Sequence, residues 1–235
     1  MGNATKLGSG TFDIVAAMER RHTERAKELG LTAEEYDQKI EADNTRRDAE
    51  QAEAAIRCHR DDRLRRIEQI PLTDEDQRRI VLDELDDTEP LGAVRRWLDG
   101  NTPILVLGGT VGRGKTVAAG WAVAREGGHY MRARSFERLF SCRYGDELEQ
   151  QTQILRSRLI VVDDIGGRED TAEGLAAYLL DLVDERRSSR TRTILITNQP
   201  RKVFEARYPD QRLHSRLKQS AVWVVSKGGD LRSKL

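Results

Sequence analysis

The stretch ILVLGGTVGRGKTVAAGWAVA, residues 104–124, decides how the rest of the chain is read. Ile104 to Leu107 form an apolar run suited to a buried strand, and the small apolar residues after Lys115 suit a helix packed close to it. Between them, Gly109-Thr110-Val111-Gly112-Arg113-Gly114-Lys115-Thr116 satisfies the pattern GxxxxGK[ST]. Glycines there let backbone N–H groups turn inward around phosphates. The Lys115 ammonium can then reach the β- and γ-phosphates, and the Thr116 hydroxyl can ligate Mg²⁺. A strand before the loop and a helix after it are the context this chemistry needs. The expectation is a bound nucleoside triphosphate, and the surroundings of the loop must say what it is for.

Working outward, four more segments share the strand texture: HYMRA (129–133, the weakest), LIVV (159–162), TILIT (193–197) and AVWVV (221–225). Continuously apolar runs separated by helical segments indicate a parallel sheet covered on both faces. The predicted fold is α/β, a P-loop nucleotide-binding core around five parallel strands. Upstream the pattern is helical. A helix is expected from Thr11 to about Leu29, stopped by Gly30, after ten small and polar residues read as disordered. A long polar helix follows, opened by a Thr32–Glu35 capping box and closed before Pro71. Shorter helices start near Thr73 and in EPLGAVRRWLDG (89–100). These features divide the chain into a helical region, 1–88, and a nucleotide-binding domain, 89–235.

The balance of 40 basic and 40 acidic side chains hides an asymmetry. Residues 1–90 carry 15 Lys and Arg against 23 Asp and Glu, a net of −8, and the remainder carries +8. The acidic region suits docking to a protein, whereas the basic one can approach a phosphate backbone. No apolar run is long enough to span a bilayer, and the opening MGNATKLGSG has neither a secretory core nor, with Lys6, the myristoylation pattern. Two widely separated cysteines, Cys58 and Cys142, read as reduced thiols. The expectation is a cytoplasmic chain with no membrane partner.

Three further segments carry chemistry. In LIVVDDIGG, Asp163 and Asp164 end a buried strand at the edge where parallel sheets bind ligands. Asp163 suits Mg²⁺, and Asp164 can polarise an attacking water. In TILITNQ, Asn198 ends another strand, where it either orients that water or caps a turn. In QRLHSRLKQS, Arg212 and Arg216 lie four apart on one helix face. They are either an exposed basic surface or a source of charge for a γ-phosphate, which a neighbouring subunit can supply. Arg132, Arg134, Arg138 and Arg143 interleave with Phe136, Phe140 and Tyr144, a composition that suits single-stranded nucleic acid. The i, i+3, i+4 spacing of Phe136, Leu139 and Phe140 fits a helix core face better. Cys58-His59 offers two metal ligands where a site needs more.

The order of these elements, with VVDDIG, ERRSSRTRTILITN, RLHSRL and the terminal GGDLRSKL, resembles the AAA+ ATPases, in particular the DnaC-type helicase loaders and IstB-like ATP-binding proteins. The resemblance runs from about residue 95 to the end. It implies Gly109 to Thr116 as the Walker A loop, Thr116 and Asp163 at Mg²⁺, and Asp164 as the catalytic acid. It also implies Asn198 as sensor 1, Arg216 as an arginine finger acting on a neighbour's ATP in a homo-oligomer, and Arg232 as a sensor 2 residue. Residues 134–156 stand where the branch holds single-stranded DNA. The chain ends ten residues after the last strand candidate, so the helical lid of most AAA+ proteins is expected to be missing. What this resemblance implies is an ATPase loading a replicative helicase, or a helper that delivers a transposase. Residues 1–88 lie outside the resemblance, match no known helicase-binding domain, and suit the docking of that partner by their acidic charge. A small-molecule P-loop kinase would instead want an arginine-bearing lid, and a scaffold without turnover would not need the full set of catalytic groups.

Overall fold

The computed structural model describes residues 10–167, 171–188 and 191–226. Contacts divide the chain into two units, Met1–Cys58 and His59–Leu235. The first holds α1 (Gly10–Glu28) and most of α2 (Ala33–Ile67), which runs across the division. The predicted capping box closes as expected. Thr32 N–H donates to Glu35 Oε2 at 2.8 Å, and Glu35 N–H donates to Thr32 Oγ1 at 3.2 Å. These contacts, the backbone one foremost, hold the Glu35 carboxyl below its ordinary value. His22 meets Asp37 at 2.7 Å and Tyr36 edge-on, and Ala26 is buried. Beyond Tyr36 this part of α2 is exposed on every side. Of the ten residues read as disordered, 1–9 lie outside the described residues and Gly10 begins α1.

The second unit starts with α3 (Asp74–Leu82) and α4 (Glu89–Asp99), then β1 (Ile104–Gly109), α5 (Lys115–Glu126) and β2 (His129–Arg132). It continues through α6 (Ala133–Ser141), α7 (Asp146–Arg156), β3 (Leu159–Ile165) and α8 (Ala172–Ser188). It ends with β4 (Arg192–Thr197), α9 (Arg201–Arg207), α10 (Gln211–Ser220) and β5 (Ala221–Ser226). Threonines cap the two early helices, Thr73 through Asp76 N–H and Thr88 through Leu91 N–H. At the other end of α4, the Arg192 guanidinium donates to the carbonyls of Trp97, Leu98 and Gly100, which satisfies groups a helix leaves open.

Among the described residues the five strands form one parallel sheet in the order β2-β3-β4-β1-β5. Alternation along each central strand builds two cores. Ile104, Val106, Ile160, Val162 and Leu195 face one side, where α6, α8, α9 and α10 contribute Phe136, Leu179, Phe204 and Leu213. Leu105, Leu107, Val161, Ile194 and Ile196 face the other, against α4 and α5. Ile67, Ile70 and Ile80, at and beyond the end of α2, belong to that second core although they precede residue 89. The three central strands are therefore buried on both faces, as their unbroken apolar runs predict, whereas the edge strands β2 and β5 are partly exposed.

Candidate nucleotide site

The carboxyl ends of β1, β3 and β4 lie side by side because β4 separates β1 from β3 in the sheet. From β1 the chain enters the glycine loop. Gly109, Gly112 and Gly114 have φ of 121°, 77° and 76°, values that L side chains rarely adopt. A Cβ on Gly109 would also lie 2.5 Å from the Ser226 carbonyl of β5. The loop is thus built for glycine by both conformation and space. It leads into α5, whose N-terminus has no side-chain cap, so its first N–H groups suit a phosphate.

Lys115 is buried, and its Nζ donates to the carbonyls of Gly109 and Thr110 at 2.8 and 2.7 Å, folding the ammonium over its own loop. The next residue reaches the sheet: Thr116 Oγ1 donates to Asp163 Oδ2 at 2.8 Å. Asp163 is 7% exposed, with Oδ1 accepting from Asp164 N–H at 2.6 Å. A hydroxyl and a carboxylate held together beside the phosphate loop are hard oxygen donors of the kind Mg²⁺ takes, completed by phosphate oxygens and water. The residues therefore fit Mg²⁺ with a nucleotide. No cluster of three or more His, Cys, Asp or Glu side chains among the described residues is placed to hold a metal by itself.

Asp164 departs from the strand. The pairing of β3 with β4 shifts between Val162 and Ile165, and Asp164 takes φ 61°, in the left-handed region. This irregularity turns Asp164 outward while its neighbours Asp163 and Ile165 stay buried. Asn198, after β4, donates to Asp164 Oδ1 at 3.4 Å. Thr197 is buried and bonds the Ile165 carbonyl at 2.8 Å, tying the two strand ends together. Asp164 and Asn198 thus meet at the sheet edge.

Arg216 has its carboxylate partner outside this group. It lies on α10, 43% exposed, with Nε 2.9 Å from Asp184 of α8, and Arg212 pairs with Asp210 at 3.1 Å. Arg232 lies outside the described residues. In α6, Phe136 and Leu139 are buried and the Phe140 ring lies 4.4 Å from Phe136, so the helical spacing serves the core. Arg134, Arg138 and Arg143 are exposed, as is Tyr144 at 86%. Cys58 is exposed and forms no disulfide.

One member of the site has no sequence signal. Tyr130, on β2, donates its hydroxyl to Asp163 Oδ2 at 2.7 Å. Burial, then the Asp163 carboxylate, pushes its phenol above the ordinary tyrosine value. The contact depends on the register of β2 against β3, which a single sequence does not reveal. No helix among the described residues is long and apolar enough to cross a membrane.

No match to a curated protein sequence was found. Among solved structures, a putative primosome component from Streptococcus pyogenes serotype M3 is 16% identical. It superposes with a TM-score of 0.50, covering 68% of this chain and 92% of that one. The DnaC helicase loader is 19% identical with a TM-score of 0.46, covering 66% and 92%. AMPPCP-bound DnaA from Aquifex aeolicus is 17% identical with a TM-score of 0.49, covering 64% and 51%. At such identity the likeness to the primosome component speaks for the fold alone, an α/β core around a parallel sheet. The family model for IstB-like ATP binding proteins matches residues 7–232, and this chain belongs to that family.

Proposed function

We propose that the chain is a Mg²⁺-dependent ATPase that acts on DNA and delivers a replicative helicase to it. The observation that carries the ATPase reading is the meeting of Thr116 with Asp163, and of Asp164 with Asn198, at one sheet edge beside the glycine loop. When bound, ATP with Mg²⁺ supplies the phosphoanhydride and neutralises its charge. The loop N–H groups and Lys115 bind phosphate oxygens, and Thr116 and Asp163 hold the metal through oxygen. Asp164 takes the proton of a water that Asn198 helps to orient. Arg216 acts on the nucleotide of an adjacent copy in a homo-oligomer, and Arg232 contacts nucleotide as a sensor 2 residue.

The basic half of the chain and the exposed Arg134, Arg138 and Arg143 support contact with single-stranded DNA. The acidic residues 1–88 are proposed as the helicase-binding region, within a cytoplasmic protein. The likeness to a primosome component supports the replication reading. A second reading, delivery of a transposase, is favoured by the IstB-like family match, which extends from residue 7 through the N-terminal helices.

The test uses the full chain. ATP hydrolysis should require Mg²⁺, and Lys115→Ala should abolish nucleotide binding. Immobilised wild-type chain is then offered a purified replicative helicase and a purified transposase from the same cell. Retention of the helicase supports the loader, and retention of the transposase alone moves the protein to the helper class. Undiminished nucleotide binding by Lys115→Ala sinks the ATPase reading itself.

A further inference from the structure

The Tyr130 hydroxyl stands on the Asp163 carboxylate for a reason that can be followed from the backbone. In the parallel pairing of β2 with β3, Tyr130 is the partner of Val161. Neighbours in register point to the same face, and Val161 belongs to the core beneath α5. Asp163, two residues beyond Val161, points to that face too, and α5 brings Thr116 to it. The tyrosine ring packs on this core, and its length carries the hydroxyl forward to the next same-face residue of the adjoining strand. An edge strand that otherwise lies outside the nucleotide site thus sends one polar atom into it.

Three donors fix the carboxylate. Asp164 N–H holds Oδ1 at 2.6 Å, whereas Thr116 Oγ1 and the Tyr130 hydroxyl both hold Oδ2, at 2.8 and 2.7 Å. Thr116 is itself a candidate metal ligand, so its hydroxyl has a second duty. Tyr130 has none: it is a neutral donor on the ligand and supplies no charge to compete with a cation. Partners of this kind orient a ligating oxygen before the metal arrives, and losing one typically costs 10–100-fold in metal affinity.

We propose that Tyr130 is a positioning residue for the Mg²⁺ of the nucleotide site, holding the Asp163 carboxylate in the orientation that Thr116 and the metal require. This inference rests on the nucleotide-site reading above. It assigns the edge strand β2 a part in setting the Mg²⁺ concentration at which the site fills.

The experiment compares the full wild-type chain with Tyr130→Phe, which keeps the packing ring and removes the hydroxyl. A fluorescent, non-hydrolysable ATP analogue reports binding while Mg²⁺ is titrated. The analogue should bind both chains equally without metal, and half-saturation by Mg²⁺ should need about tenfold more in Tyr130→Phe. In an Asp163→Asn background, the same substitution should change the Mg²⁺ titration little, because the oriented carboxylate is already gone. Coinciding Mg²⁺ titrations for wild type and a folded Tyr130→Phe overturn the inference alone. So does a tenfold shift that persists in the Asp163→Asn background. Wild-type chain that does not bind the analogue, or Lys115→Ala that binds it undiminished, overturns the nucleotide site and this inference together. Should Tyr130→Phe lose cooperative melting, Tyr130→Met, which keeps an adaptable apolar side chain without a hydrogen-bond donor, provides the same comparison.

Discussion

At the scale of the residue, Asp164 shows how backbone geometry serves chemistry. Its φ of 61° costs an ordinary L residue roughly 1–2 kcal/mol, and aspartate and asparagine tolerate it better than most. The reward is a carboxylate directed to Asn198 from a strand whose neighbouring positions are buried. Two substitutions separate conformation from charge. Asp164→Asn should melt within a degree or two of wild type and bind nucleotide, yet lose hydrolysis by at least 10²-fold in a phosphate-release assay. Asp164→Val should lose about 1–2 kcal/mol of stability by urea denaturation as well, because a β-branched residue fits the left-handed region poorly.

At the scale of the element, α5 ties the glycine loop to helices that precede the sheet. Gly120 faces them so closely that an added Cβ would lie 3.0 Å from Leu72 Cδ1 and 3.3 Å from Ile80 Cδ1. Gly120→Val is therefore expected to cost about 1–3 kcal/mol by overpacking, read as a lower urea midpoint with an unchanged slope. The same contact explains why the nucleotide-binding unit begins well before residue 89: the α3 region fills the space under α5. The N-terminus of α2 offers a test by pH. The carboxyl of Glu35 titrates lower in the folded chain than its ordinary 4.5, held by Thr32. Its stabilising contribution is thus present above about that value and is lost as the pH falls through the folded one. The melting temperature of Glu35→Ala should lie below that of wild type at pH 7, with the gap narrowing as the pH falls below 4.5. A gap that stays constant across this range would remove the carboxylate from the account.

At the scale of the whole molecule, the nucleotide-site residues arise from one sheet edge, while Arg216 stays with Asp184 on the face of α8 and α10. Under the proposal, Arg216 acts on the nucleotide of an adjacent copy. Arg216→Ala should leave nucleotide affinity unchanged and lower hydrolysis by about 10³-fold, the scale of an arginine finger. Mixing offers the sharper measurement. A Lys115→Ala chain is expected to bind no nucleotide but still carries Arg216, so adding it to Arg216→Ala should restore phosphate release. If the mixture hydrolyses no faster than Arg216→Ala alone, Arg216 does not act across subunits.

By itself the sequence determined the class of fold and the chemistry of its loop. Buried parallel strands must be apolar along their whole length, and the glycines, Lys115 and Thr116 are contiguous, so both patterns can be read locally. Asp163, Asp164 and Asn198 were legible for the same reason, as polar residues that end such runs. The capping box at Thr32 and Glu35 is also local, and it formed as read. Tertiary structure alone decided what depends on distant segments meeting. The register of β2 on β3 gives Asp163 its third donor in Tyr130. The packing of α8 on α10 gives Arg216 its carboxylate partner. The space beneath α5 draws Ile67, Ile70 and Ile80 into the core of the nucleotide-binding unit. None of these contacts leaves a trace in spacing or composition, because each joins residues whose separation along the chain is set by the fold and not by any helical or strand period.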